Sequence, residues 1–365
     1  MKKIYNKWYQ KVSDSVMKRF SLLDKKWTYD YGVIFKGMEQ VWKITGDSRY
    51  YDYIENSMDT FIDDKGCIRG YSLEEYNMDH INNGKVLFLL YRETGKEKYK
   101  KAIELLIKQL KTHPRTTEGG FWHKKIYPDQ MWLDGIYMGS PFYAEYGEVF
   151  HTPEVFDDVA KQIMVCAKHT KDPITGLHYH AWDEKHEEFW CNKETGCSKN
   201  FWGRAMGWFV VAIVDVLDYM PIDHQYRSNI INIFKDAIEA LLKVRDPQSG
   251  VWYQVLDQGD RPGNYLEASC SCMFLYAITK GIKKGYLSKE LVDTARDIYK
   301  GIITQFIEVR EDGLVNLNKT CQVAGLGNKE KRDGTFVYYI SEPIICNDLK
   351  GIGAFIQASA EIETL

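Results

Sequence analysis

Proline is scarce in this sequence. Nine occur in 365 residues, below the roughly 5% average of globular chains, which favours long helices. Long apolar runs are missing as well. The best, WFVVAIVDVLDYM from Trp208, is broken by Asp215 and Asp218, which excludes an ordinary transmembrane helix. The opening MKKIYNKWYQKVSDSVMKRF is basic but has no apolar centre, so no secretory signal is expected and the chain reads as cytoplasmic. Neither sign of charge dominates: 48 Lys and Arg against 51 Asp and Glu leave −3. That speaks against a dedicated nucleic-acid binder, which carries a basic surplus. Eight cysteines are present, spaced Cys191-x5-Cys197 and Cys270-x-Cys272 with the rest scattered. None follows the C-x2-C pattern of a zinc knuckle, and no H-E-x-x-H accompanies the His178–His180 pair. Reduced thiols and no metal are the expectation.

What is plentiful points to a large folded body. Hydrophobic residues make up 44%, enough for a sizeable core and against disorder. Aromatic residues reach 14%, with 25 Tyr and 10 Trp. Such rings either fill a core or present flat walls on which sugars stack. Composition leaves both open.

Helical periodicity runs through GVIFKGMEQVWKITG (32–46), where Val33, Met38, Val41 and Trp42 share a stripe. GKVLFLLYRETG (84–95) repeats it, and each is followed by an amphipathic segment, 45–62 and 94–110. The Thr-Gly between them suits a helix C-cap followed by a tight turn. Gly32, Gly84 and Gly135 are 52 and 51 residues apart, a period of stacked helical hairpins. Segments 201–220, 267–282 and 348–362 have the same small-residue character, giving six such helices, each with a polar partner. Six hairpins close into a ring of inner and outer helices or stay open as a solenoid. No strong boundary appears, so residues 1–365 are read as one domain. Long aromatic and charged loops lie between hairpins, at 117–130, 178–200 and 316–343, and loops of that length are usually functional.

Three segments hold candidate chemistry. In MWLDGIYMG, Asp134 has Trp132, Leu133, Ile136 and Tyr137 around it. Burial there would raise its pKa, as a general acid near pH 7 requires; a buried, hydrogen-bonded structural Asp is the alternative. Asp79, in YNMDHINNG, precedes the next helix, and the pattern alone favours a helix N-cap. Hairpins stacked in register would instead bring it beside Asp134. In FWGRAMGW, Arg204 and Trp208 are i, i+4 and share a face. Arginine suits an anionic ligand and Trp a sugar ring or the Arg itself, with core packing as the alternative. His123, Lys124 and His180 add polar candidates.

Together, W27-T-Y29, N77-M-D79-H, F121-W-H123-K, D129-Q-M-W-L-D134-G, H178-Y-H180, F201-W-G-R204-A-M-G-W208 and Y338-Y-I-S-E-P resemble the unsaturated rhamnogalacturonyl hydrolases. These form glycoside hydrolase family 105, related to the unsaturated glucuronyl hydrolases. The resemblance spans nearly the whole chain from Trp27. It implies an all-α fold, an (α/α)6 barrel of six hairpins, acting on a small unsaturated oligosaccharide with no cofactor, metal, nucleic acid or membrane. It also implies hydration of a C4=C5 vinyl ether in a Δ4,5-unsaturated galacturonyl residue, rather than attack at the anomeric carbon. Asp134 matches the acid that protonates C4, and Asp79 the second carboxylate. Tyr29, His123, Lys124, His180, Trp202, Arg204 and Trp208 match the substrate-binding set, with Tyr31 close enough to compete with Tyr29. Glu267, in YLEASCSC, is left without a role. The competing readings are a glucuronyl hydrolase on glycosaminoglycan-type disaccharides, a sugar epimerase, which needs opposed bases, and a non-catalytic helical scaffold, which has no need of the aromatic loops.

Overall fold

The computed structural model describes residues 7–328 and 331–365. Its α-helices are α1 (Trp8–Arg19), α2 (Tyr29–Thr45), α3 (Ser48–Asp59), α4 (Lys85–Thr94), α5 (Glu97–Thr112), α6 (Leu133–Val149), α7 (Val155–Thr170), α8 (Gly203–Val216), α9 (Arg227–Lys243), α10 (Ala268–Lys283), α11 (Val292–Phe306), α12 (Phe336–Ser341) and α13 (Leu349–Ile362). A 3-10 turn, Met78–Gly84, leads into α4. Two further 3-10 turns, Leu73–Glu75 and Lys289–Leu291, and three antiparallel pairs of short strands complete the described elements: β1 (Gln130–Trp132) with β2 (Ala181–Asp183), β3 (Ile307–Val309) with β4 (Val315–Leu317), and β5 (Thr320–Cys321) with β6 (Ile344–Ile345).

Helices α2, α4 with its 3-10 lead, α6, α8, α10 and α13 each pack on the next, and α13 packs back on α2. The ring is closed, and α3, α5, α7, α9 and α11 lie outside it, forming an (α/α)6 barrel. The sixth outer helix is α1, packed on α13, so the last hairpin joins the two ends of the described chain. The sequence pattern expects a partner following each inner helix, and here the partner comes from the other end.

Burial separates the two rings. All of α8 except Asp215 is buried, the mark of a helix apolar all round. Helix α5 buries one stripe, Tyr99, Ala102, Ile103, Leu106, Ile107 and Leu110, at the i, i+3, i+4 spacing of a half-exposed helix. Gly46 and Gly95 terminate α2 and α4 at φ 67° and 65°, the left-handed cap that glycine adopts without a Cβ penalty. Helices α2 and α13 approach so closely that a Cβ on Gly353 would sit 2.7 Å from the Val33 carbonyl carbon. Among the described residues no helix is long and apolar enough to cross a membrane.

Candidate active site

The inner helices start at one mouth of the barrel, and the starts of α6, α8 and α10 and the turn before α4 are tied by backbone bonds to loops. Strand β1 pairs with β2 with Trp132 opposite Ala181, and Leu133 N donates to His180 O at 3.0 Å. That ladder fixes Asp134 beside His180. Met78 N donates to His123 O at 3.1 Å, which brings Asp79 to Lys124. Gly203 N donates to Gln254 O at 2.9 Å, which places Arg204 on the same rim. The sequence-predicted residues are far apart in the chain and become neighbours through these short pairings.

Two carboxyl groups face this mouth in different company. Asp79 Oδ2 is 2.6 Å from Lys124 Nζ, and Oδ1 is 3.7 Å from His123 Nε2. Burial works against its charge, but Lys124 and His123 prevail and hold the carboxyl below its usual range. It is not the helix cap that the pattern favours. Asn77 caps instead, its side chain accepting from Asp79 N at 3.0 Å, because Asn77 is the residue that precedes the turn with extended backbone. Asp134, in the first turn of α6, is 9% exposed. Its Oδ2 lies 3.1 Å from His180 Nε2, yet neither atom has an aligned hydrogen-bond partner among the described residues. His180 Nδ1 lies 2.8 Å from the Tyr339 hydroxyl.

Aromatic rings wall the mouth. His123 stacks on Trp132 at 4.5 Å, and Tyr127 on the same Trp132 at 5.0 Å. Trp202 faces His180 at 4.7 Å and Tyr339 at 6.0 Å. Deeper in the barrel Tyr137 stacks on Trp208 at 4.3 Å, and Tyr29 meets Trp208 edge-on at 6.2 Å. The Tyr29 phenol is pushed well above its usual range, first by burial and then by Asp79, with Arg204 and Asp134 also close enough to act on it. Arg204 is 1% exposed. Its Nε donates to Ser269 Oγ at 2.8 Å, Nη1 to Gln322 O at 3.3 Å and Nη2 to Cys321 O, and Nη2 is 3.5 Å from Glu267 Oε1. All nine sequence-predicted positions therefore lie at or just below one mouth. His178 does not join them: it is buried in the core against Phe209 and bonded to Thr170.

Trp132, Tyr339 and Gln254 belong to the same cluster and were not singled out as site residues by the motifs. Gln254 accepts from Trp202 Nε1 at 3.2 Å and donates to Tyr339 O at 3.2 Å. An internal repeat marks it. Asp172-Pro-Ile-Thr-Gly176 and Asp246-Pro-Gln-Ser-Gly250 form matching turns, in which each Asp accepts from the Thr175 or Ser249 N–H at 2.7 Å. His180 and Gln254 both stand four residues after the turn glycine.

Burial leaves a pH signature. It lowers His113 and His123 to about 4 and His178 to about 3. Their folded values lie below the unfolded 6.5, so the stability they carry is complete above pH 6.5 and is lost as pH falls toward 4. Each contributes a slope of about 1.4 kcal/mol per pH unit within that window. Chemical denaturation at pH 7.5, 6.5, 5.5 and 5.0 is expected to show falling stability below 6.5, with proton uptake on unfolding. A flat profile over that range would contradict the neutral, buried state of these rings.

Known proteins share this architecture. The family model for Glycosyl Hydrolase Family 88 matches residues 1–365. A structure of a glycoside hydrolase from family 105 of C. acetobutylicum ATCC 824 is 53% identical, covers 98% of this chain and 100% of its own, and superposes with a TM-score of 0.97. The unsaturated rhamnogalacturonyl hydrolase YesR of Bacillus subtilis (strain 168) is 28% identical over 311 residues, 84% of this chain and 83% of that protein. The unsaturated glucuronyl hydrolase of Bacillus sp. GL1 shares the fold at 13% identity, covering 96% of this chain and 94% of its own with a TM-score of 0.68.

Proposed function

The chain belongs to glycosyl hydrolase family 88, alongside the family 105 enzymes, and from that premise we propose that it is an unsaturated uronyl hydrolase. The substrate is the Δ4,5-unsaturated galacturonyl residue at the non-reducing end of a small, lyase-generated rhamnogalacturonan or pectin oligosaccharide. The observation that carries this reading is the contrast between the two carboxyls. Asp79 is ion-paired with Lys124 at 2.6 Å. Among the described residues Asp134 has no Lys or Arg paired with it, and its neighbour is the His180 ring at 3.1 Å. A pair of carboxyls in unlike settings is how one site assigns an acid and an ionised partner.

In the proposed reaction Asp134 gives its proton to C4 of the vinyl ether, and water adds at C5 as Asp134 takes a proton back. The resulting hemiketal opens to a ketone at C5. This leaves a hemiacetal at C1, which releases the next sugar. One water is consumed overall. The Tyr339 hydroxyl and His180 Nδ1 are 2.8 Å apart; when the hydroxyl donates, the ring hydrogen sits on Nε2 and faces Asp134. Asp79 orients water or ring hydroxyls. Arg204 meets the uronate carboxylate through Nη1, which makes one long bond and carries a second hydrogen. Trp202, Trp208 and Tyr29 offer faces to the sugar, and His123 and Lys124 hold the rim toward the second sugar. The name of YesR and this His-Lys rim favour a rhamnose-linked substrate over a glucuronyl one. Eight free thiols, six of them buried, fit a reducing, cytoplasmic setting.

The test follows the ultraviolet absorbance of the conjugated alkene. An unsaturated galacturonyl-rhamnose disaccharide is expected to lose it, and a saturated analogue is expected to be untouched. Faster loss with an unsaturated glucuronyl disaccharide would move the substrate. No loss with any unsaturated uronide would overturn the reading.

A further inference from the structure

Pro141 lies inside α6, with helix on both sides. A proline in a helix interior has no N–H to give, and its ring crowds the carbonyl four residues back. In α6 that carbonyl belongs to Tyr137, one turn after Asp134. Tyr137 O is not left empty: Lys85 Nζ donates to it at 2.7 Å. Lys85 opens α4 and is 3% exposed, with its nitrogen 3.4 Å from the centre of the Tyr137 ring.

An ammonium buried this deeply is costly unless a carboxylate pairs with it. Lys85 has no such ion pair among the described residues. Asp215 and Glu145 act on it only from a distance, and burial pulls it well below its usual range. Ionic stabilisation therefore does not account for the residue. The orphaned carbonyl does, since a buried backbone C=O without a donor is itself unfavourable. Beside this part of α6 lies a cavity of about 120 Å³, lined by Lys85, Pro141 and Glu145 among others.

We propose that Lys85 is a positioning residue, supplying in place of the missing Pro141 N–H the hydrogen bond that holds α6 at Tyr137. The part of α6 so held includes Asp134 and Tyr137, whose ring stacks on Trp208. Lys85 thus sets the height of the acid and of the floor beneath it without touching substrate. This rests on Asp134 being the acid of the proposed reaction.

Lys85→Met keeps the length of the side chain and removes the donor. It is expected to lower kcat by about tenfold to a hundredfold with KM shifted much less, the scale of an acid displaced by about an ångström. Adding Pro141→Ala restores a helical N–H to Tyr137 O, and the double variant is expected to recover most of the lost kcat. Amide exchange along residues 138–145 is expected to quicken in Lys85→Met and slow again in the double variant. If Lys85→Met does not fold, recovery of a folded protein on adding Pro141→Ala supports the proposal and its absence overturns it. An unchanged kcat, or a loss that Pro141→Ala leaves unrepaired, also overturns it. Should the parent enzyme turn over no unsaturated uronide, the functional reading falls, and the exchange comparison still tests Lys85.

Discussion

Asp134→Asn is expected to leave a folded protein whose turnover is lower by about a thousandfold or more, the upper part of the range for removing a general acid. The two side chains have the same shape, so the packing of the first turn of α6 persists. The contact with His180 persists too, since the amide oxygen can take the place of Oδ2. What is lost is the carboxyl that the proposed reaction uses to pass a proton to C4. Asp79 cannot substitute, because Lys124 at 2.6 Å holds it ionised. The measurement is the rate of alkene absorbance loss at saturating substrate, with thermal unfolding and binding of the unsaturated sugar read alongside. Lost turnover with retained folding and retained binding assigns the proton to Asp134. Turnover within about tenfold of the parent would remove Asp134 from the reaction and leave its contact with His180 as a structural feature.

Much of this arrangement is legible in the sequence, and the reasons differ by residue. The inner helices are legible because a helix buried on all sides must be apolar and small throughout, as 203–216 is. The turn glycines Gly46 and Gly95 are legible because only a left-handed cap ends a helix in that way. Asp134 is legible because a carboxyl amid Trp132, Leu133 and Ile136 needs an explanation. Its pairing with His180 is not legible, because it depends on a two-strand register between segments about fifty residues apart. The role of Asn77 as cap, rather than Asp79, is hidden for a similar reason. Both residue types cap well, and only the ion pair with Lys124 takes Asp79 elsewhere. The pairing of α13 with α1 is out of reach of any pattern that looks for a partner further along the chain.

The second large effect is expected in stability. Arg204 and Glu267 are 1% and 0% exposed, and their charges face each other at 3.5 Å. Glu267 also accepts from Cys270 N at 2.7 Å, Ser269 Oγ at 2.8 Å and Cys321 N at 3.0 Å. Arg204 reaches Ser269 and the carbonyls of Cys321 and Gln322. One network therefore joins the start of α8, the start of α10 and strand β5 at the mouth. Arg204→Met would leave a buried carboxylate without its cation and two carbonyls without donors. The expected cost is about 3–5 kcal/mol, the usual range for breaking a buried pair from one side. Glu267→Gln is expected to cost less than Arg204→Met, since the amide oxygen can still accept from Cys270 N. The double variant is expected to be less destabilised than the sum of the two, because neither charge is then left alone. Denaturant titration of the four proteins gives the coupling directly. Additive losses would mean that the two charges do not sense each other, and the network would then be three sets of separate backbone contacts. A positive coupling makes Arg204 first a brace of the mouth, rigid before any sugar arrives, so a uronate carboxylate would meet a guanidinium already fixed in place. That preorganisation is the reason to expect Arg204→Lys to fail as a replacement, since a lysine makes no planar fork and cannot span Ser269, Cys321 and Gln322 at once.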